Sequence, residues 1–352
     1  MKKVFALLLP LALVFGLLAG CGQTEPAPKE DGDTAGQEKL QKIVITEDVR
    51  GYHWAPAYLA QTLGYFAEEG LDAEFQTIKG GDATTPVLSG DAQFCLKGIE
   101  TSLMLNEAGQ GCKVIVSATQ KYPYQLVGAN ENYSTIESLK GQVVAGGLSA
   151  NSGPYTFAKA CIAAAGMDPD ADVEVTSMAS AGYAAAIESG ELQGAVSTNP
   201  WSAKKLADLG GVVIVDGTDE AEIEKIIGSP TYELFAVLTS DELIQSDPEL
   251  VQKAVNAMAK AMQWMEQATP EEIAEKMLPL FDGAQEELLY DAQYDKEHQV
   301  ANYTGYHTES GFHAAVKLTK MAGGITQDTT EDKIYDESFL DSAWQALGKD
   351  TQ

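Results

Sequence analysis

Arginine is almost missing from this chain of 352 residues: Arg50 stands alone beside 22 lysines, against 52 acidic residues. A net charge of −29 excludes binding to nucleic acid or to anionic lipid headgroups by charge, because both would be repelled. Cysteine is scarce too, with Cys21, Cys95, Cys112 and Cys161 only, at spacings that fit neither a zinc site nor a disulfide framework. Cys95 and Cys112 lie in or beside apolar strand-like runs and read as small buried hydrophobes, with a disulfide between them left open. The four histidines, His53, His298, His307 and His313, form no i,i+4 pair and no carboxylate-flanked signature, so no metal is expected. There is no Gly-rich loop ending in Gly-Lys-Ser/Thr, so the chain carries no ATPase of its own, and no cofactor motif is present.

The N-terminus is distinctive. Lys2 and Lys3 precede an apolar run from Val4 to Leu18, followed by Leu18-Ala19-Gly20-Cys21. Basic residues, a short hydrophobic segment and small residues before a cleavage point make a secretory signal rather than a membrane span. A cysteine directly after the small pair also resembles the bacterial lipobox. That resemblance implies cleavage before Cys21, lipidation of Cys21 and an extracytoplasmic protein anchored to the cell membrane, each buried methylene contributing about 0.8 kcal/mol. The plain alternative is a secretory signal with an incidental cysteine. Residues 1–20 are thus expected to be the signal. Residues 21–40, rich in Glu, Asp, Gly, Pro and Thr, are expected to be a disordered tether of roughly 20 Å.

Beyond the tether, β-branched runs alternate with helical patterns. Lys42–Thr46 reads as a strand; Leu59, Leu63 and Phe66 recur at helical spacing until Gly70. Strands are expected at Ala73–Thr77, Gln93–Leu96 and Lys113–Ser117, with helices over Thr84–Leu88 and Ile99–Glu107. A second alternating set runs from Gln142 to Val215, and Tyr232–Leu238 reads as one extended segment. Continuous apolar strands imply sheets covered by helices on both faces. After Leu238 the pattern is helical, with Ser246/Glu249 and Thr269/Glu272 as expected capping boxes and Pro248 and Pro270 in first turns. Val251, Ala254, Val255, Met258, Met262 and Met265 mark one buried face.

Gly51-Tyr52-His53-Trp54-Ala55-Pro56-Ala57-Tyr58-Leu59-Ala60 and Gly64–Asp72 resemble the nitrate/sulfonate/taurine and thiamine-pyrimidine group of ABC-transporter substrate-binding proteins. Gly80-Gly81, Leu88–Asp91 and Ile136–Gly141 fit the same pattern in the same order. The resemblance implies a type II periplasmic-binding-protein fold: α/β, two lobes joined by two crossover strands, with a helical C-terminal tail packed on the first lobe. By position Tyr124–Gly128 and Tyr232–Val237 are the crossovers. Residues 41–123 then begin lobe 1, 124–231 form lobe 2, and 232–352 return to lobe 1. The implied protein is a monomer, not an enzyme. It closes on a small molecule by hinge motion and delivers it to a permease driven by an ATPase subunit. Competing readings are an enzyme on this fold, of the pyrimidine-synthase or dehydratase type, and a sensor.

Ligands of open α/β sheets sit beyond the carboxyl ends of strands, near helix N-termini. The candidates there are Arg50, Tyr52, His53 and Trp54 after the first strand; Gly81 and Asp82; and Gly98, Glu100 and Thr101. In the second set they are Ser149, Asn151, Ser152 and Tyr155, then Asn199 and Trp201. Tyr122 and Tyr232 add rings near the lobe junction. Arg50 can fork onto an anion or pair with Glu47 or Asp48; Asp82 and Thr101 can bind or merely cap helices; each ring can line the cleft or fill a core. Ser149–Tyr155 is the best anion cradle. Many relatives carry an acid before the proline where this chain has Asn199, which counts against cationic amines. The favoured ligand is therefore a small organic anion of the sulfonate, nitrate or carboxylate class. A thiamine-pyrimidine precursor or another planar heterocycle is the alternative.

Overall fold

The computed structural model describes residues 40–78, 82–149 and 152–349; the expected signal segment, Cys21 and nearly all of the tether lie outside the described residues. Among the described residues, ten strands form two five-stranded sheets. The first holds β1 (Gln41–Glu47), β2 (Leu71–Thr77), β3 (Phe94–Gly98) and β4 (Cys112–Ser117), together with the much later β10 (Phe235–Ser240), in the order β2-β1-β3-β10-β4. The second holds β5 (Gln125–Gly128), β6 (Val143–Ala145), β7 (Glu174–Thr176), β8 (Gly194–Ser197) and β9 (Val212–Asp216), in the order β7-β6-β8-β5-β9. Each sheet with its helices is one lobe.

The strands follow from side-chain pattern. Central strands such as β5 are buried at every position, as expected where helices cover both faces. Edge strand β2 buries Leu71 and Ala73 and exposes Asp72 and Glu74, the period of two that a half-covered edge requires. β1 runs parallel to β2 (Ile43↔Ala73) and to β3 (Ile45↔Phe94). β10 is antiparallel to β3 (Ala236↔Lys97) and β4 (Val237↔Val116). β5 is likewise antiparallel to β8 (Leu126↔Val196) and β9 (Leu126↔Val215). The odd strand of each lobe is therefore the one reached from the other lobe, which is the topology of the expected fold. Strand hydrogen bonding begins at Phe235, not Tyr232; before it the chain is tied across to the other passage, Tyr232 N–H donating to Gln120 O at 3.0 Å. Gly217 sits at the same crossing, where a Cβ would lie 2.4 Å from the carbonyl oxygen of Tyr122, so no larger residue fits without moving the backbone.

The C-terminal helices begin with Pro248–Gln267, whose buried face runs from Leu250 and Val251 to Met262 and Met265 and packs on the Ala55–Thr62 helix. Each such Val or Met contributes about 1.5–3 kcal/mol by burial. Thr269 and Glu272 form the expected capping box. Ser246 and Glu249 do not: Ser246 ends the preceding helix, and Asp247 caps the next by accepting from Leu250 N–H at 3.1 Å. The reason is local, because Pro248 at the first helical position makes its immediate neighbour the cap. The tail also reaches beyond lobe 1. Gln285–His298 packs on the Pro200–Asp208 helix of lobe 2, and Glu309–Met321 packs on Gly153–Ala164 and Glu220–Ile227.

Candidate functional site

The loop after β1 is organised by Glu47, one of the two acids weighed as partners of Arg50. Glu47, fully buried, accepts from Tyr58 Oη, from Thr77 Oγ1 at 2.7 Å and from Arg50 Nε at 2.8 Å. Arg50 spends a second donor on Leu280 O at 2.7 Å. The lone guanidinium is thus held by lobe 1 in the Glu47 pairing. The next three residues form a 3-10 turn, Tyr52–Trp54, leading into a helix with Pro56 in its first turn. His53 folds back over Gly51, where a Cβ would meet its Nε2 at 2.7 Å, and stacks on Phe235 at 3.9 Å with 8° between planes. Burial pushes the His53 pKa down to about 3, so the imidazole is neutral near pH 7. Trp54 meets Phe235 edge-on at 4.9 Å.

From Phe235 the rings continue between the lobes. Tyr124 stands 6.0 Å from Phe235 and 5.0 Å from Tyr122, which contacts Phe157 at 4.8 Å and Tyr232 at 4.5 Å. Tyr52, Trp54, Tyr122, Tyr124, Tyr232 and Phe235 are all buried, and the edge-to-face contacts of the belt are those that ring quadrupoles favour. Glu100 closes one side of it. Its carboxyl lies against Gly98, where a Cβ would be 2.2 Å from Oε2. That oxygen is buried with no hydrogen-bond partner, as is Trp54 Nε1. Burial pushes the Glu100 pKa up. Glu100, Tyr122, Gly153, Thr156 and Tyr232 line a small cavity of about 20 Å³.

A second small cavity, of about 20 Å³, is lined by Tyr52, His53, Thr119, Pro123, Pro200, Asp291, Tyr294 and Asp295, with apolar neighbours. Sequence reasoning missed its three residues from the Gln285–His298 helix. Asp295 accepts from Tyr52 Oη at 2.9 Å and from Ala301 N–H at 2.6 Å. Asp291 accepts from Trp201 N–H at 2.8 Å, and burial pushes its pKa up to about 8. Tyr294 Oη donates to Asp216 Oδ2 at 2.5 Å and accepts from Gln125 Nε2 at 3.0 Å. The available signal was two carboxyls, 291 and 295, spaced i,i+4 on the face that also carries Leu288 and Ala292. Among the described residues, no lysine or arginine lines either cavity.

The belt and its cavities thus bring together Tyr52, His53, Trp54, Glu100, Tyr122 and Tyr232, with Gly98 beneath Glu100. The other candidates lie outside this grouping. Asp82 is exposed and accepts from Thr84 N–H at 3.0 Å; Thr101 is buried within its helix. Asn199 caps the Pro200–Asp208 helix, accepting from Ser202 N–H at 2.8 Å. Trp201 is half-buried with its ring 5.8 Å from Tyr290. Ser149 is exposed, and Ser152 Oγ donates to Ser149 O at 2.7 Å. Tyr155 is half-buried beneath Lys159 Nζ, 5.2 Å from its ring. Gly81 and Asn151 lie outside the described residues. Cys95, Cys112 and Cys161 are buried free thiols, so Cys95 and Cys112 are not bonded here.

A model of the family described as NMT1/THI5 like matches residues 52–273. YtlA of Bacillus subtilis strain 168, provisionally named a binding protein, is 27% identical over 274 residues, 74% of this chain and 78% of YtlA. The riboflavin-binding protein RibY of Chloroflexus aurantiacus is 24% identical over 275 residues, 74% of each chain. Among solved structures, the periplasmic sulfonate-binding protein SsuA of Methylobacillus flagellatus KT, provisionally assigned to a sulfonate ABC transporter, aligns with a TM-score of 0.64 at 17% identity. That alignment covers 88% of this chain and 96% of SsuA. The desulfurization enzyme DSZB aligns with a TM-score of 0.60 at 14% identity, over 87% of this chain and 99% of its own, so this fold hosts catalysis as well as binding.

Proposed function

Because this chain belongs to the NMT1/THI5-like family, we propose that it is the solute-binding component of an ABC importer, exported by residues 1–20 and lipid-anchored through Cys21. It acts as a monomer, captures a small planar heterocycle, neutral or weakly basic, between its two lobes, and delivers it unchanged to a permease. Lobe 1 comprises residues 41–123 and 232–352, and lobe 2 comprises 124–231. The observation that carries the ligand class is the lining of the cleft: aromatic rings with buried carboxyls and, among the described residues, no cation. Rings stack on a flat solute. A buried acid with a free oxygen, such as Glu100, suits a ring nitrogen or exocyclic amine that would otherwise lose its hydrogen bonds to water. The riboflavin-binding relative supports a ligand of this shape.

An organic anion is the second reading, favoured by the sulfonate-binding structural neighbour and by the glycine- and serine-rich start of the Gly153–Ala164 helix. Against it, Arg50 is already spent on Glu47, and no lysine or arginine among the described residues lines either cavity. Thermal-shift measurements with riboflavin, an aminopyrimidine, taurine, nitrate and alkanesulfonates decide between them, since a ligand of the folded state raises the midpoint by RT ln(1 + [L]/Kd). The heterocycles should raise it and be recovered intact. A shift with sulfonate or nitrate alone would overturn the ligand class, and conversion of the solute would overturn the non-enzymatic reading.

A further inference from the structure

The Gln285–His298 helix belongs in sequence to the tail of lobe 1, yet its polar contacts fall on both lobes. On lobe 1, Asp295 accepts from Tyr52 Oη at 2.9 Å, and Lys296 Nζ donates to Met265 O at 2.7 Å. Tyr52 is the residue before His53, whose ring begins the interlobe belt. On lobe 2, Tyr294 joins Asp216, Gln125 and Thr218 at 2.5, 3.0 and 3.0 Å. Asp291 accepts from Trp201 N–H at 2.8 Å.

This last contact has a definite helical role. The Pro200–Asp208 helix exposes its first N–H groups at Trp201 and Ser202, since Pro200 has none. Its own cap, Asn199, satisfies Ser202. Trp201 is satisfied only from outside the lobe, by Asp291. A helix of lobe 2 is therefore completed by a side chain from the tail of lobe 1, and parting the lobes would return that N–H to water.

We infer that the Gln285–His298 helix is a closure strap, in which Asp291 and Tyr294 hold lobe 2 against lobe 1 while Asp295, through Tyr52, ties the strap to the loop that carries His53. The strap rests on the two-lobe capture reading but not on any particular solute. It biases the lobes toward closure and gives the ligand loop a mechanical connection to lobe 2 that bypasses the two crossovers.

The test uses the full chain without added solute, so its failure is distinct from failure of the ligand assignment. Asp291→Ala, Asp291→Asn and Tyr294→Phe are compared with the parent by hydrogen exchange and small-angle scattering. Loss of an N-terminal hydrogen bond of this kind corresponds to a roughly fivefold rise in exchange. Asp291→Ala should show that rise in the segment containing Trp201, together with a larger radius of gyration, while β3 and β8 keep their protection. Tyr294→Phe should enlarge the radius as well, and Asp291→Asn, which retains an acceptor oxygen, should exchange at the parent rate. Parental exchange and radius in both Asp291→Ala and Tyr294→Phe would overturn the strap. So would an equal loss of protection across both sheets, which would make the helix ordinary core.

Discussion

Replacing Glu100 by glutamine should make this protein more stable and less able to bind. Glu100 opens the Ile99–Glu107 helix with its carboxyl turned over Gly98. Oε2 is buried and unpartnered, and the neighbouring cation, Lys97, is engaged by Asp48 and Asp82. The folded carboxyl therefore holds its proton above the ordinary value of 4.5. An acid whose folded pKa is raised stabilises the protein most when it is protonated in both states. That contribution is present below about pH 4.5 and is lost as pH rises through the folded value. Leaving a buried polar group unsatisfied costs about 1–3 kcal/mol, more when it is charged. Glutamine keeps the shape without ionising. Glu100→Gln should then match the parent at pH 4.5 and exceed it by about 1–3 kcal/mol at pH 8, a midpoint rise of roughly 2–4 °C per kcal/mol. The assay is thermal unfolding followed by circular dichroism at pH 4.5, 6 and 8, paired with titration of whichever heterocycle the panel selects. Affinity should fall about tenfold, the size of one lost hydrogen bond to a charged or buried group. A variant destabilised equally at every pH would refute the reasoning, because the carboxyl would then be serving the fold.

The same sign applies to two other buried acids, Glu233 with a pKa raised to about 7 and Asp291 raised to about 8. Stability of the parent in urea should therefore decline between about pH 5 and pH 8, and Asp291→Asn should flatten the upper part of that slope; a stability maximum near pH 8 would contradict this. Cys95, Cys112 and Cys161 are buried, with the Cys112 thiol pushed up to about 12. Peptide mass mapping after alkylation should find all three unmodified in the native protein and modified in denaturant, without any disulfide. Phe235→Ala removes the ring that His53, Trp54 and Tyr124 all contact. It should cost about 3–5 kcal/mol of stability, measured by urea unfolding, and a loss under 1 kcal/mol would mean the belt collapses without harm.

Much of the architecture was legible because it is written in local pattern. The apolar run Lys42–Thr46 lies within β1, and Ile99–Glu107 was legible to its ends. The rings Tyr52, His53, Trp54, Tyr122 and Tyr232 were named in advance with two readings, cleft lining or core, because aromatic residues gathered before a helix or beside a lobe junction stand out in composition; the structure buries Tyr52, Trp54, Tyr122 and Tyr232. Contacts between distant segments were less legible. The Arg50 pairing with Glu47 was among the readings weighed, but nothing near Glu47 announces that it is fully buried or that Tyr58 and Thr77 also donate to it. Nothing near Asp291 announces Trp201, 90 residues away in sequence. Asn199 was weighed as a ligand contact, yet an amide just before a proline at a helix start has a nearer use as a cap. Charge was the other blind spot. The lone arginine was weighed as an anion site or as a partner of Glu47, and Glu100 was named, while Asp291 and Asp295 were lost in a chain that has 52 acids.

The central claim is tested most directly by native mass spectrometry of the full-length protein extracted from its own membranes in mild detergent. The account predicts a lipid-modified chain carrying one aromatic heterocycle, which is released intact on denaturation and rebinds to the emptied protein. A sulfonate or other anion in its place, or a chain that retains residues 1–20 and carries no solute, would contradict it.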